Sequence, residues 1–151
     1  MAFCFFLPSG ETVLLDDADQ GLLEGRNWYR AKRGPCIYAE WRMKGHPDVR
    51  GFLHSLVAGR RVDHKNGNGL DCRRENLRPA TQAQNGLNKA PKAGKRFKGV
   101  CRSRGKFYAE IYIDRQRYAS YGHLTEESAA HAYDALALEH HGEWARLNFP
   151  V

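Results

Sequence analysis

The chain has little cysteine, and what it has is not arranged for metal or redox work. Cys4, Cys36, Cys72 and Cys101 stand 32, 36 and 29 positions apart among 151 residues. No Cys-x-x-Cys pair is present to nucleate a structural zinc site or a dithiol centre. Four free thiols are expected; a zinc site mixing Cys36 or Cys72 with His54 or His64 is the alternative, and no spacing asks for it. Long apolar runs are lacking too. The apolar opening, residues 2–7, falls far short of the roughly 20 residues of a membrane-spanning helix, and no basic segment precedes it as in a secretory leader. The length excludes a large multidomain enzyme and allows one ordinary domain or two small ones. A soluble, cytoplasmic protein with no membrane partner is expected.

What is abundant is basic charge, and it is unevenly spread. Lys and Arg total 24 against 17 for Asp and Glu, a formal net charge of +7, which favours a polyanionic partner, nucleic acid first. Residues 1–50 are neutral, 51–90 carry +4, 91–122 carry +7 and 123–151 carry −4. The polyanion-facing surface is therefore expected between about Arg60 and Arg117. Hydrophobic residues at 42% and aromatics at 11% are enough for a folded core.

Periodicity predicts an α+β chain. Residues 11–15 and 36–43 pattern as short strands with a helical turn around 19–24, and residues 50–57 as a further strand. An Asn- and Gly-rich turn over 66–70 and a strand over 76–79 follow, and Thr81 is placed to cap a helix running to about Lys89. Residues 91–98 mix Pro, Gly and basic side chains and are expected to be a linker. Residues 106–113 alternate strictly, with Phe107, Ala109, Ile111 and Ile113 on one face. The repeat over 116–121, after a two-residue turn, predicts a hairpin. Thr125 opens a helix closed by Gly142. A three-stranded sheet over 99–121 packed on this helix would leave its other face free for a ligand.

The densest chemistry lies in residues 62–89, where one imidazole, three carboxylates and several amides sit inside a basic stretch. Carboxylate and amide oxygens suit a hard divalent cation, and an imidazole titrating near pH ~6.5 can take a proton from water. That combination suits phosphodiester hydrolysis. Leu53-His54, Val62-Asp63-His64-Lys65-Asn66-Gly67-Asn68, Glu75-Asn76-Leu77-Arg78 and Gln84-Asn85 resemble the His-Asn-Asn variant of the HNH endonucleases, as found in phage and intron homing enzymes. The resemblance covers residues 52–89. It implies a ββα-metal core over 51–90, with residues 1–50 a strand-rich segment to which no chemistry is assigned. It further implies His64 as general base, Asn76 as the residue orienting the loop and imidazole, and Asp63 and Asn85 as ligands of one divalent metal ion, Mg²⁺ with Mn²⁺ as the alternative. Ser55 and Cys72 depart from the family pattern.

Phe97-Lys98-Gly99-Val100, the alternating strand at 106–113, Thr125-Glu126-Glu127-Ser128-Ala129-Ala130 and the closing Leu147-Asn148-Phe149-Pro150 resemble the Apetala or ethylene-response-factor type of DNA-binding domain. This implies a module over 99–151 that lays its sheet on double-stranded DNA. Arg102, Arg104, Lys106, Tyr108, Glu110, Tyr112, Tyr118 and Ser120 are the expected outward contacts, with Lys106, Arg115 and Arg117 on phosphates. Together the two resemblances imply a metal-dependent DNA endonuclease, of homing or nicking type, encoded by a phage or mobile element and acting in the host cell as a monomer or homodimer. The other reading is a DNA-binding regulator that keeps the HNH part as a scaffold without catalysis.

Overall fold

Strands with one apolar face and tight turns between them account for most of the first hundred residues. The computed structural model describes residues 2–150, and the chain divides into two compact units, Met1–Asn85 and Gly86–Val151. In the first unit, β1 (Ala2–Phe6) and β2 (Thr12–Asp16) form an antiparallel hairpin. Alternation along β2 drives Val13 and Leu15 to complete burial. A 3₁₀ segment, Asp17–Leu23, leads into β3 (Arg26–Arg33), β4 (Cys36–Met43) and β5 (His46–Phe52), an antiparallel sheet in that order. A short helix α1 (Leu53–Ala58), the hairpin of β6 (Val62–His64) with β7 (Leu77–Pro79), and helix α2 (Gln82–Leu87) complete it. Leu7, Val13, Leu15, Ala39, Leu53, Val57, Cys72 and Leu77 share one core, so every one of these elements except α2 is anchored to, or hydrogen-bonded beside, the same apolar cluster.

The strand expected over 50–57 is corrected: it ends at Phe52, and residues 53–58 are helical. Leu53, Leu56 and Val57 stand at i, i+3 and i+4, the helical spacing, which outweighs the weaker alternation. Gly59, at φ 84°, ends the turn. Strand β1 lacks alternation and half of β3 is charged, so neither is visible in hydrophobic pattern alone. Thr81 does cap α2: its Oγ1 accepts from the Gln84 N–H at 3.2 Å while Gln84 Oε1 accepts from the Thr81 N–H at 2.8 Å, a reciprocal capping box. The helix stops at Leu87, two residues short of the expected end.

In the second unit, β8 (Val100–Ser103), β9 (Lys106–Ile113) and β10 (Gln116–His123) form an antiparallel sheet in the order β10, β9, β8, with helix α3 (Glu126–His141) packed on one face. Ala109, Ile111, Tyr133 and Ala137 form one buried cluster, and Phe97, Val100, Ala129 and Ala130 another. The final residue of the expected linker but one, Phe97, is thus part of this core. The buried Asp134 carboxylate accepts from the backbone N–H groups of Asn148 and Phe149 at 2.8 and 2.9 Å, and the Asn148 side chain closes a two-way pair with the Lys98 backbone. The Leu-Asn-Phe signature of the sequence is therefore a clasp that ties the chain end to α3 and to the start of the sheet.

The turn Asp114-Arg115 has both φ values positive, 49° and 68°, the two-residue hairpin geometry that matches strand twist. It pairs Gln116 with Ile113, Tyr118 with Ile111 and Ser120 with Ala109. Tyr118 and Ser120 therefore share the face of the buried residues, and the expected outward placement of both is corrected. Arg102, opposite Phe107, is corrected likewise: it lies over the Phe107 ring at 5.6 Å, on the α3 side. Arg117, Ala119 and Tyr121 occupy the outer face instead, and a bulge after Ser120 returns His123 to the α3 side, opposite Phe107.

Gly99 is the tightest point of this unit. Its φ is +69°, and a Cβ there would lie 1.9 Å from the Tyr133 ring. Gly99→Ala is expected to cost more than about 2 kcal/mol, whereas Gly94→Ala, with φ +78° but open space, should cost only about 1 kcal/mol. Urea titrations of the two variants check the difference; equal midpoints would refute the steric account.

Candidate active site

The β6–β7 hairpin sets the site. Its register places Asp63 opposite Arg78 and His64 opposite Leu77. The Arg78 guanidinium donates to Asp63 Oδ2 from Nε at 3.1 Å and from Nη2 at 2.9 Å, with both side chains buried. His64 is buried too, and its ring meets Tyr38 at 5.8 Å and the edge of His54 at 5.0 Å. His54, on the first turn of α1, stacks on Phe52 at 5.4 Å. Burial pulls the His64 pKa below its ordinary value against the opposing pull of the Asp63 and Asp71 carboxylates. Burial and the neighbouring His64 lower His54 further, to about 4. Both imidazoles are therefore held in the neutral form, the one able to accept a proton.

The loop between the two strands is built by short polar side chains that supply the bonds a regular ladder would give. Asn68 N–H donates to Asn66 Oδ1 at 2.8 Å and Leu70 N–H to Asn68 Oδ1 at 3.1 Å, which are Asx turns. Asn76 clamps the two ends: its Oδ1 accepts from the Asn66 N–H at 3.0 Å and its Nδ2 donates to the Asp71 carbonyl at 2.8 Å. The buried Asp71 carboxylate accepts from Arg73 Nε and Nη2 at 2.8 and 2.7 Å and from Asn66 Nδ2 at 2.9 Å; the Arg73 bonds hold its pKa below the usual carboxylate range.

The N-terminal strands hold this loop from outside. Leu14 N–H donates to the Leu70 carbonyl and Cys72 N–H to the Leu14 carbonyl, both at 2.9 Å. Arg74 bridges to Asp19 at 2.6 and 2.8 Å, and its backbone N–H donates to Asp16 at 2.8 Å. Gly69 lies so close to β4 that a Cβ would fall 2.4 Å from the Ile37 carbonyl and 2.6 Å from the Tyr38 ring. Residues 1–50, to which no chemistry is assigned above, thus fix the loop that follows His64.

Asn85, on α2, donates from Nδ2 to the Val62 carbonyl at 3.4 Å, which brings its amide beside the strand that carries Asp63. Among the described residues no group of three or more His, Cys, Asp and Glu side chains is arranged to hold a metal ion, and all four cysteines are free. The Asp63 carboxylate and Asn85 amide are hard oxygen donors on adjoining elements. That is a chemistry Mg²⁺ or Mn²⁺ accepts, because Mg²⁺ typically takes one or two protein oxygens and completes its shell with water and substrate phosphate. The donor set fits such an ion, with Arg78 competing for the same carboxylate.

The remaining candidates lie in the second unit. On the sheet face away from α3, Tyr108 stacks on Tyr121 at 5.6 Å, and Arg117 lies 5.5 and 5.6 Å from those rings while donating to Glu110 at 2.9 Å. Tyr112 is exposed on the same face. Arg104, Lys106 and Arg117 line a depression of about 330 Å³ there, and Arg115 stands in the β9–β10 turn. Tyr121 escapes sequence reading because the parity of β10 depends on the turn. Arg78, His54 and Tyr38 are missed because their significance is a matter of register and of packing between distant segments. Arg78 and His54 do carry a signal, since both stand in the sequence motif as Leu77-Arg78 and Leu53-His54, and Tyr38 carries none.

Two outcomes follow from this geometry. A folded-state pKa near 4 against an ordinary 6.5 means that His54 contributes stability above about pH 6.5 and loses it as the pH falls toward 4, up to about 3 kcal/mol. His54→Phe, which keeps the ring stack, should flatten that acid limb in urea titrations, and an unchanged limb would refute it. Asn76→Ala removes both clamp bonds and should cost about 2 kcal/mol or more, seen as faster amide exchange over residues 66–71.

Residues 58–87 match the family model described as HNH endonuclease. Over 129 residues the chain is 33% identical to an uncharacterized HNH endonuclease of Acanthamoeba polyphaga mimivirus, covering 80% of this chain and 66% of the relative, just under two thirds of its length. No solved structure matches the chain significantly. The matched span begins at the end of α1 and ends with α2, and so takes in His64, the clamped loop, the Asp63–Arg78 hairpin and Asn85, and over these residues the chain is similar to HNH endonuclease domains.

Proposed function

We propose that the chain is a metal-dependent DNA endonuclease in which the first unit cuts and the second holds the duplex. The observation that carries this reading is the meeting, on one hairpin and the helix after it, of a neutral buried imidazole, a carboxylate and an amide within the HNH match. His64 takes a proton from water as the water oxygen bonds to phosphorus. The bond from phosphorus to the 3′ oxygen breaks, and that oxygen leaves to become a hydroxyl, with the phosphate kept on the 5′ side. Asp63 and Asn85 are the residues to hold a divalent cation, Mg²⁺ or Mn²⁺, which supplies charge neutralisation at the phosphate and the departing oxygen. Asn76 keeps the loop after His64 closed, so that the base and the donor pair stay in fixed relation.

In the second unit, the outer sheet face with Lys106, Tyr108, Glu110, Tyr112 and Arg117, edged by Arg104 and Arg115 in its turns, is the proposed duplex contact. Its aromatic and guanidinium groups support that role, and so does the family resemblance to Apetala-type domains. Arg102, Tyr118 and Ser120 contribute from the α3 side or through packing. No helix among the described residues is long and apolar enough to cross a membrane, and the mimiviral origin of the relative is consistent with action inside a host cell.

Supercoiled plasmid tests the reading. Wild-type protein should nick or linearise it with Mg²⁺ or Mn²⁺ and not with EDTA, while His64→Ala should lose about a hundredfold or more in rate with plasmid binding retained. Binding without cutting under either metal would favour the regulator, and wild-type rates from His64→Ala would remove that residue as the base.

A further inference from the structure

The neutral charge of residues 1–50 conceals a separation. Residues 1–25 carry five acidic and no basic side chains, and residues 26–50 seven basic and two acidic. The acids lie on β2, the 3₁₀ segment and the loops beside them, and the bases on β3, β4, β5 and the turn between the last two. Within the sheet the bases divide again by face, because residues paired across strands share a side.

On the side of Trp28 and Ala39, which pack with the first unit's core, the arginines already have partners. Arg30 bridges to Glu11 at 2.6 Å, and Arg26 donates to the carbonyls of Leu22 and Glu24 at 2.9 Å. The opposite side carries Arg33, Arg42 and Arg50 with one acid, Glu40, which stands across from Tyr29 and Phe52, and none of the three arginines makes an ion pair with a carboxylate among the described residues. Arg42 lies over the Tyr29 ring at 4.9 Å and Arg33 over Phe52 at 5.7 Å. Arg42 and Arg50 stand directly opposite each other across β4 and β5. Like charges in that position repel and destabilise a sheet, and an anion between them removes the repulsion.

This face is continuous with the active site. Phe52, under Arg33, stacks on His54, and His54 meets His64; Tyr38, on the same face, touches both histidines and backs the loop at Gly69. Flat guanidinium groups over aromatic rings, three against the single carboxylate of Glu40 and leading to the imidazole proposed to act on a phosphodiester, match the regular anionic backbone of a DNA duplex. We infer that the Arg33–Arg42–Arg50 face of the N-terminal sheet is a second DNA contact, one that grips phosphates flanking the bond to be cut. The inference rests on the nuclease reading for what lies at the end of the face, but the binding it assigns stands separately from cleavage.

The test is fluorescence anisotropy of the full chain with a short mixed-sequence duplex in EDTA, where no cutting contributes, over a series of salt concentrations. Replacing the three residues together, R33Q, R42Q and R50Q, should weaken binding about tenfold or more and reduce the slope of log affinity against log salt by about 2–3. Replacing them with Lys should restore most of the slope, since point charges still reach phosphates, whereas a merely structural role would not be rescued. Arg50→Gln alone, at an exposed position, should lower the slope by about 1 and serves where the triple variant fails to fold. An unchanged slope in a folded variant overturns the proposal. Failure of the nuclease reading would instead appear as intact, arginine-dependent binding with no metal-dependent cutting by the wild type.

Discussion

The ion pair between Asp63 and Arg78 is the interaction on which the first unit turns. Burying a charge is costly unless it is paired and hydrogen-bonded, and here both partners are buried on opposite strands of a hairpin only three residues long. A slip of one residue would leave two buried charges without each other, so the pair fixes register more than it adds stability. Register in turn puts His64 against Leu77, a core residue, and thereby gives the imidazole a rigid backing. The same pair neutralises Asp63 until something else does. If Asp63 holds a divalent cation as proposed, the ion would share the carboxylate with a guanidinium, which would hold the carboxylate in place beforehand and lower the affinity for an isolated ion. A phosphate bound at the same point offsets this, because it offers an acceptor to the displaced guanidinium.

Around that hairpin the chain spends polar side chains where a larger protein would use secondary structure. The loop over residues 66–76 has few ladder bonds, and Asn66, Asn68, Asp71 and Asn76 replace them. Such a loop is well ordered only if something prevents its outward movement, since each Asx turn is worth little by itself. The bonds between Leu14 and residues 70 and 72, and the Arg74 bridge to Asp19, supply that restraint. The acidic N-terminal segment therefore serves the site by holding Arg74, while Arg73 is held within the loop by Asp71 and Glu75.

Much of this was legible in the sequence, and the limits have physical causes. The strands at 36–43 and 106–113, the helix between Thr125 and Gly142 and the cap at Thr81 all depend on local rules of periodicity and capping, and the structure has them. Asp63, His64, Asn76 and Asn85 are clustered in sequence as well as in space, so their motif could be read as a unit. Residues 53–58 fail because six residues are too few for a helical period to stand out from an alternating one. The outward face of β10 fails for a different reason. A strand's parity is set by the turn that precedes it, and the expected two-residue turn, which pairs Gln116 with Ile113, puts Tyr118 and Ser120 on the buried face, whereas the outward placement followed the alternation of β10 by itself. His54, Tyr38 and Arg78 matter through contacts between segments that composition cannot bring together.

The charge of residues 1–50 shows the same limit in electrostatic form. A net value is a sum along the chain, whereas the field at a surface depends on which charges face it and which are already compensated. Arg30 and Arg33 are three residues apart and chemically identical, yet one lies 2.6 Å from a carboxylate and the other over an aromatic ring without one. Only the alternation of the strand distinguishes them. With most of the acids drawn to the loop and the core side of the sheet, the site side keeps Glu40 against Arg33, Arg42 and Arg50, a positive excess that the sequence total does not contain. A segment of zero net charge can thus present a strongly basic face, and in this chain that face begins at Arg50 and Arg42 and ends at the imidazole of His64.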